Sequence, residues 1–389
     1  MHCAVFKKTN KSIPVSPEYR KLIETDTEGR TKKKNVNEER FMVRELQNDS
    51  PVFYLGKLND RDEIEYFGST VFFRTPYRNS IGKYVSEKLN VKEKIDIAEA
   101  MFGDIEGKDR IIKGRLKYED AVMVRHEGDT PFLGKDEKGE RAPMILGQPK
   151  PTAIQNYLDQ TSNKDKRKIL NWNSSTNETR IRGYKRYWHK ENIVEFEYDK
   201  KKWYDSQHVV IRPVNRNVVF NGKIKFDNLT YLELGALLAA LDIPKNMRHH
   251  IGMGKPRGMG SIEIKPTLKI IDRNARYNSF QWNESTDGKP IQKSKLTEND
   301  VRNQALFTYL REFSKFYKSE SNVKEGSPED EIINAIWELP RNKELANMME
   351  WTNAPDPNKT SYPPIGSKNK EEAKIWSERK PLGEPKDYL

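Results

Sequence analysis

The sequence predicts an α+β protein that ends in a helical C-terminal appendage. Runs rich in aromatic and β-branched residues, which favour strands, begin at residue 41 and return over residues 181–220. Apolar residues then recur at helical spacing between residues 299 and 339. We predict three regions: a polar basic N-terminal extension (1–40), a folded domain (41–280) with an insertion near 125–180, and a linker, helices and polar tail (281–389).

The first strands of the folded domain are predicted from short apolar runs. "PVFYLGK" (51–57) and "IEYFGSTVFF" (64–73) are dense in aromatic and β-branched residues, and "RLKYEDAVMV" (115–124) has the same character. The stretch 159–180 is polar instead, and we expect it to be a mobile insertion.

Two short helices are predicted between these strands. "NSIGKYVSEKL" (79–89) indicates a helix with Asn79 or Ser80 as its N-terminal cap. "DIAEAMFGD" (96–104) indicates a second helix, which Gly103 ends because glycine readily adopts the conformation needed there.

A strand and a longer helix follow near residue 230. Ile224 and Phe226 alternate with polar residues, as in a strand with one buried face. Thr230 and Glu233 have the spacing of a capping box, in which each side chain bonds the backbone of the other residue. The helix that begins there presents one apolar face, formed by Leu234, Leu237, Leu238 and Leu241.

The C-terminal region contains two amphipathic helices. The segment 299–318 is one, and the segment 328–339 is the other, with Pro328 and acidic residues in its first turn. The apolar face of the first is formed by Val301, Ala305, Leu306, Tyr309, Leu310 and Phe313.

Charge and cysteine content restrict the function classes. Lys and Arg number 70 against 58 Asp and Glu, which gives a net charge of +12 and favours a polyanionic partner such as nucleic acid. Cys3 is the single cysteine, so an internal disulfide or a cysteine metal cluster is excluded. No signal peptide or membrane segment is visible, so we expect a cytoplasmic protein.

The segment "HHIGMGKPRGMGSIEIK" (249–265) is the most informative stretch. It is predicted to join a helix to a strand, because Ile262, Ile264, Leu268 and Ile270 alternate after it. Phosphate loops of nucleotide-binding proteins need a strand before the glycines and a helix after them, and their glycine spacing also differs. A nucleotide-cofactor loop is therefore disfavoured.

The chemistry of this segment suits a sugar-phosphate backbone. Glycines allow close approach of another backbone, and free amides together with nearby cations can hold phosphate oxygens. A flexible connector, or glycines needed only for packing, is the alternative. The candidate phosphate-binding residues are Gly252, Gly254, Lys255, Arg257, Gly258 and Gly260, flanked by Arg248, His249 and His250.

The run "FDNLTYLELGALLAAL" (226–241) followed by "HHIGMGKPRGMGSIEI" (249–264) resembles the C-terminal signature of the RAMP superfamily, the RNA-binding subunits of CRISPR effectors. Further stretches are similar to one subgroup, the type III (III-D-like) effector backbone subunits. They are "PVFYLGK", "FFRTPYRNSIGKY" (72–84), "DIAEAMFGD", "GRLKYEDA" (114–121), "ILGQPKPTAIQNYL" (145–158), "IRGYKRYWH" (181–189) and "IDRNARY" (271–277).

The resemblance implies a ferredoxin-like, RRM-like RAMP domain with β-hairpin insertions. It also implies a subunit of an antiviral ribonucleoprotein whose partners are a CRISPR guide RNA, its complementary target RNA and other effector subunits, with sequence recognition left to base pairing. A preceding RAMP-like module, which many members of the subgroup carry, is not visible. Besides the loop, the matched RNA-facing positions are Arg74, Arg78, Lys83, Arg182 and Lys185.

Two other functions stay open. Some members of the superfamily cut target RNA with an aspartate and a divalent cation, and Asp26, Asp49 and Asp60 are weak candidates for that role. No bound cofactor is expected, and Mg²⁺ or a similar cation is implied only if the chain cleaves RNA. The second possibility is a scaffold that contacts other subunits and touches little RNA.

Overall fold

The protein is built from α-helices and short antiparallel strands, which confirms the predicted α+β class. The chain forms two compact units, Met1–Asn90 with Thr152–Ile181, and Val91–Pro151 with Arg182–Leu389. A computed structural model describes residues 13–31, 52–54, 64, 66–68, 75–86, 94–106, 110–133, 139–143, 145, 154–160, 169–177, 179–183, 186–191, 196–201, 208–271, 297–356, 360, 383–387 and 389.

The first unit begins with a helix inside the predicted N-terminal extension. Helix α1 (Pro17–Thr31) starts at a proline, which suits the first turn because it has no amide hydrogen to leave unpaired. Strands β1 (Phe53–Tyr54) and β2 (Phe67–Gly68) pair antiparallel. Tyr19 and Ile23 of α1 pack with Ile64 and Phe67 in a small core, so part of the extension is folded.

A second small core of this unit includes the expected insertion. Trp172 is only 4% exposed and its ring meets the edge of Tyr84, with Leu158 completing the cluster. The polar stretch is therefore folded around Trp172 where it is described. Of the helix expected over 79–89, the described part is a single 3₁₀ turn, Ile81–Tyr84, preceded by Ser80. The Ser80 side chain makes no capping bond, and Val85 is already extended.

The second unit opens with the predicted helix α2 (Ile97–Phe102). Asp96 and Glu99 form a capping box at its start, and Gly103 ends it with φ 85°. Strands β3 (Asp104–Glu106) and β4 (Arg110–Ile112) then form a hairpin. The sequence prediction for this helix is confirmed at both ends.

An antiparallel ribbon of two chain segments follows. β5 (Leu116–Tyr118) pairs with β10 (Ile224–Phe226), and β6 (Val122–Arg125) pairs with β9 (Val219–Asn221). Single bridges at Phe132–Val214 and Arg141–Ile211 continue the pairing. Beyond the ribbon, β7 (Ala142–Pro143) pairs with β8 (Phe196–Glu197). Apolar side chains lie exposed along β6 and β9, namely Val122, Met123, Val124, Val219 and Phe220.

The main core of the second unit lies between helices. It joins α3 (Tyr231–Leu241) to the three C-terminal helices α4 (Glu298–Tyr317), α5 (Glu329–Glu338) and α6 (Pro340–Met349). Leu234 and Leu238 of α3 pack with residues of all three, so the helical appendage shares one core with α3. The most enclosed members are Ala305, Leu306, Leu310, Ile332, Ile336 and Met349.

Helices α3 and α4 approach each other closely at Gly235. A Cβ atom at this position would overlap the carbonyl oxygen of Ala305 and lie 2.8 Å from the Cβ of Tyr309. The absence of a side chain therefore sets the distance between the two helices. None of the helices in the described ranges is long and apolar enough to cross a lipid bilayer.

Candidate nucleic-acid interface

The glycine-rich segment is the loop of a β-hairpin. Strand β11 (His249–His250) pairs antiparallel with β12 (Ser261–Ile262), and the loop lies between them. The expectation that the loop directly joins a helix to a strand is wrong, because α3 ends at Leu241 and a turn containing Pro244 precedes β11. The apolar alternation from Ile262 to Ile270 predicted a longer strand, but the strand formed there, β12, has only two residues.

All four glycines of the loop adopt left-handed backbone conformations. Their φ angles are 75° (Gly252), 74° (Gly254), 87° (Gly258) and 83° (Gly260), and a 3₁₀ turn spans Lys255–Arg257. At Gly260 a Cβ atom would overlap the carbonyl oxygen of Ile251, so both the backbone conformation and the space require glycine. The loop therefore has a definite shape that depends on these residues.

Backbone hydrogen bonds fix the second half of the loop. The Ile251 amide donates to the Gly260 carbonyl at 2.8 Å, and the amides of Arg257 and Met259 both donate to the Gly254 carbonyl. The amides of Gly252, Met253 and Gly254 make no hydrogen bond within the described part of the chain. Around Gly252 a Cβ would meet no atom within 4 Å. Gly252 and Met253 are also exposed, so at least the first part of this run of amides lies at the surface.

Lys255 places its charge beside those amides. Its Nζ donates to the Gly252 carbonyl at 2.9 Å and is exposed. An ammonium group next to free amides is a combination that binds phosphate oxygens through both charge and hydrogen bonds. The first half of the loop, residues 252–255, thus forms a candidate anion-binding surface, which we call the amide row.

Arg257 and Arg248 act differently from Lys255. Arg257 is only 8% exposed, and its guanidinium donates to the Ile145 carbonyl at 3.1 Å. Arg248 donates to the carbonyls of Lys245 and Met247 at 2.8 and 2.6 Å. The hydrogen bonds described for both guanidinium groups go to backbone carbonyls of the protein, so these two side chains are engaged within the protein.

Three histidines form a cluster at the base of the hairpin. The rings of His189 and His250 stack with centroids 3.8 Å apart and an angle of 6° between their planes. The edge of Trp351 meets the His189 ring at 5.6 Å. His249 contacts the Leu241 carbonyl through Nε2 at 3.2 Å. His250 is therefore part of the packed base of the hairpin, whereas the sequence suggested an RNA contact.

Burial keeps these imidazoles neutral. It lowers the pKa of His189 to about 4, although the hydrogen bond to the Arg248 carbonyl opposes this shift. Burial, followed by the neighbouring His189, lowers the pKa of His250 to about 3, and burial also lowers the pKa of His249. The cationic groups that face the cluster and add to these shifts are Arg186, Arg248 and Lys255.

The histidine cluster predicts an acid-dependent loss of stability. An unfolded histidine binds a proton near pH 6.5, whereas His189 and His250 do so only near pH 4 and 3 in the folded state. Above about pH 6.5 the two histidines therefore do not reduce the free energy of unfolding. As the pH falls from 6.5 toward 4, the free energy of unfolding decreases by up to about 1.4 kcal/mol per pH unit for each histidine. Urea unfolding at a series of pH values measures this slope.

A matched pair of variants identifies the source of that slope. His250→Gln is expected to flatten the decrease between pH 6.5 and 4. His126→Gln is the control, because His126 is exposed on the ribbon, and it should leave the slope unchanged. Identical slopes in wild type and His250→Gln would contradict the assignment.

The remaining candidate residues lie in separate places. In the first unit, the Arg78 amide donates to Asn173 at 2.6 Å and its guanidinium lies 3.8 Å from Glu18, while Lys83 is exposed on the 3₁₀ turn. In the second unit, the Arg182 guanidinium donates to the Gly383 carbonyl. Arg74, Lys185, Asp49 and Asp60 lie outside the described residues, as does the side chain of Asp26.

Metal chemistry has no visible donor set in the described part of the chain. No group of three or more His, Cys, Asp or Glu residues there is placed to hold a metal ion.

No protein-family model matches the sequence, and no curated protein matches it.

Proposed function

We propose that this chain is a guide-RNA-binding backbone subunit of a type III CRISPR interference complex. It holds the guide and its paired target RNA through contacts to their sugar-phosphate backbones. The observation that carries the proposal is the amide row, in which three amides without a hydrogen-bond partner in the described part of the chain lie beside the ammonium group of the half-buried Lys255. This row lies in the segment that resembles the RAMP signature.

The amide row suits recognition of a phosphate without recognition of a base. Backbone amides and a lysine bind phosphate oxygens equally well in any sequence, whereas base readout needs side chains shaped to base edges. The space around Gly252 admits a second backbone. Such a site favours a protein that holds RNA of any sequence and leaves recognition to base pairing.

Arg115 supports the finer proposal of an RRM-like domain. It stands at the start of β5, and its guanidinium donates to the Ala100 carbonyl of α2 at 3.0 Å. The same group forms a salt bridge with Glu233 of α3 and donates to the Asn228 carbonyl at 2.7 Å. This half-buried guanidinium thereby joins α2 and α3 to the antiparallel pair β5–β10. Two helices tied to one antiparallel pair are compatible with an RRM-like arrangement, which we propose for this unit.

The ribbon supports contact with RNA beyond the amide row. The rings of Phe102 and Tyr118 stack 6.3 Å apart and are both more than half exposed, and Phe220 is also exposed. Lys117 and Lys225 sit directly opposite each other in the β5–β10 register. Exposed rings interleaved with cations bind single-stranded nucleic acid by stacking and charge. In the RAMP resemblance a β-hairpin meets the guide–target duplex, and we propose that role for the ribbon.

Removal of the Lys255 charge is the direct test. Lys255→Ala is expected to weaken binding of a guide-length RNA about three- to ten-fold, because one phosphate contact is lost. The slope of log K against log salt should become less steep by about 0.7, the value for one contact to a single strand. Filter binding or fluorescence anisotropy over a range of salt concentrations measures both quantities.

The matched control is Lys324→Ala. Lys324 is an exposed lysine in the turn between α4 and α5. The substitution therefore removes the same charge at a position outside the loop. It should leave both the affinity and the slope unchanged. If wild type binds RNA and both variants bind it equally well, the loop is not the phosphate site. If wild type binds no RNA, the scaffold role replaces the proposal.

A further inference from the structure

We propose that His189 is a positioning residue for the amide row, one that sets the conformation of the glycine-rich loop without touching RNA. The expected effect on RNA binding rests on the proposed function, whereas the contacts that hold the loop do not depend on it. His189 is 0% exposed and lies against both strands of the hairpin. Its ring nitrogens contact the Arg248 carbonyl at 3.0 Å, just before β11, and the Ser261 hydroxyl at 2.7 Å, in β12.

The two partners define the tautomer of the ring. A backbone carbonyl only accepts, so the Nε2 of His189 must carry the hydrogen and donate to Arg248. In the neutral ring the Nδ1 then has no hydrogen, so it accepts from the Ser261 hydroxyl. Each strand is thus held by one directional bond to the same rigid ring, and this fixes the distance between the two ends of the loop.

Packing holds the ring from its remaining sides. His250 covers one face, and the edge of Trp351 meets the ring at 5.6 Å. The segment around Trp351 also pairs antiparallel with the chain just before β11, at the bridge between Met247 and Glu350. The Arg248 amide donates to the Met349 carbonyl at 3.0 Å, and the Trp351 amide donates to the Asn246 carbonyl at 2.8 Å. The base of the loop is consequently held by three chain segments.

This arrangement explains how a loop with four left-handed glycines keeps one shape. Glycine has the greatest conformational freedom in the unfolded or loose state, so ordering such a loop is costly. Because the base of the loop is already fixed, RNA binding loses less conformational entropy in ordering the loop, which is the effect of preorganisation. Loss of the His189 bonds should therefore loosen the loop and weaken RNA binding without removing any contact to RNA.

The experiment compares three variants of the full-length chain. His189→Phe keeps the ring and the stack but removes both hydrogen bonds, and His189→Gln retains an amide donor for the Arg248 carbonyl. Ser261→Ala removes only the hydrogen bond between the β12 hydroxyl and His189 Nδ1 and keeps the histidine. It provides the test if His189→Phe does not fold. The first readout is hydrogen exchange of the bonded amides of Ile251, Arg257 and Met259, measured without RNA and compared with α3. The second is RNA affinity.

We expect about ten-fold faster exchange of the loop amides in Ser261→Ala, which corresponds to the loss of one hydrogen bond. The increase in His189→Phe, which loses two hydrogen bonds, should be at least as large, and exchange in α3 should stay unchanged in both variants. RNA affinity should fall by a similar factor, and His189→Gln should recover most of both losses. Nitrogen-15 spectra of the imidazole at pH 7 should report a neutral ring protonated at Nε2.

Different outcomes separate this inference from the proposed function. Loop exchange in His189→Phe and Ser261→Ala equal to wild type would overturn the positioning role, as would a spectrum with the proton on Nδ1. Equal losses in the Phe and Gln variants would assign the effect to packing and also overturn it. If wild type binds no RNA, the proposed function fails, while the exchange data still decide whether His189 positions the loop.

Discussion

Replacement of Gly235 by alanine is expected to lower the free energy of unfolding of the second unit by about 2–3 kcal/mol, the upper part of the range typical of an overpacked core. The added methyl group would overlap the Ala305 carbonyl, so α3 and α4 would have to move apart. Alanine is intrinsically the better helix former, by about 1 kcal/mol, so a net loss would show that packing outweighs propensity. Denaturant unfolding followed by circular dichroism measures the change.

Gly82→Ala is the matched control for this experiment. Gly82 lies in the 3₁₀ turn of the first unit, has no left-handed conformation, and a Cβ there would lie 3.9 Å from the nearest atom, Ser80 Oγ. The same chemical change should leave stability within about 0.5 kcal/mol of wild type. A stable Gly235→Ala protein would mean that the two helices pack less closely than their backbones indicate.

Gly260→Ala is expected to abolish most RNA binding, with a loss of at least about ten-fold, because two costs combine at this position. Alanine disfavours a φ of 83°, by about 1–2 kcal/mol, and its methyl group would also overlap the Ile251 carbonyl. The Ile251–Gly260 hydrogen bond that closes the loop would then break. RNA affinity, together with exchange of the Ile251 amide, measures the effect.

Two other glycines give the controls. Gly326→Ala carries a comparable left-handed strain at φ 89°, in open space between α4 and α5, and should bind RNA as wild type does. Gly252→Ala carries a similar left-handed strain at φ 75°, but its methyl group would meet no protein atom. The Ile251–Gly260 hydrogen bond should therefore persist while RNA binding weakens, since the methyl group would occupy the space offered to the RNA backbone. If Gly260→Ala and Gly326→Ala bind RNA with the same affinity, the closed loop is not needed for binding.

Local signals predicted helices α2 to α5. The capping box at Thr230–Glu233 is formed as the sequence indicated, and α2 ends at Gly103 as expected. The apolar face predicted for α4 is the face that packs in the core, where Ala305, Leu306 and Leu310 are buried. Capping residues and helical spacing act within a few residues, so a single sequence is sufficient to identify them.

Features that depend on distant residues were not predictable. Helix α1 has few apolar residues, and its partners Ile64 and Phe67 lie about forty residues further along the chain. The polar stretch near Trp172 gave no signal of folding because Tyr84, its partner, is almost ninety residues away. Long-range packing overrode local composition in both cases.

The candidate site was predictable in its chemistry but less so in its geometry. The four glycines and Lys255 identified a loop suited to phosphate, whereas the burial of Arg257 against Ile145 had no local sign. His189 was missed because its partners are about sixty to seventy residues away. The adjacent "RYWH" run drew attention to its cations and rings, and only the fold shows that its histidine lies against the hairpin.

The interleaving of the two units has a consequence for biosynthesis. The chain passes from one unit to the other after Asn90, after Pro151 and again after Ile181. On the ribosome the first unit therefore lacks Trp172 until well after its N-terminal half has emerged. The core around α3 must wait still longer, for α4 to α6. During synthesis both units therefore expose apolar core residues whose packing partners have not yet been made. The nascent chain has to avoid aggregation through these residues until synthesis is complete.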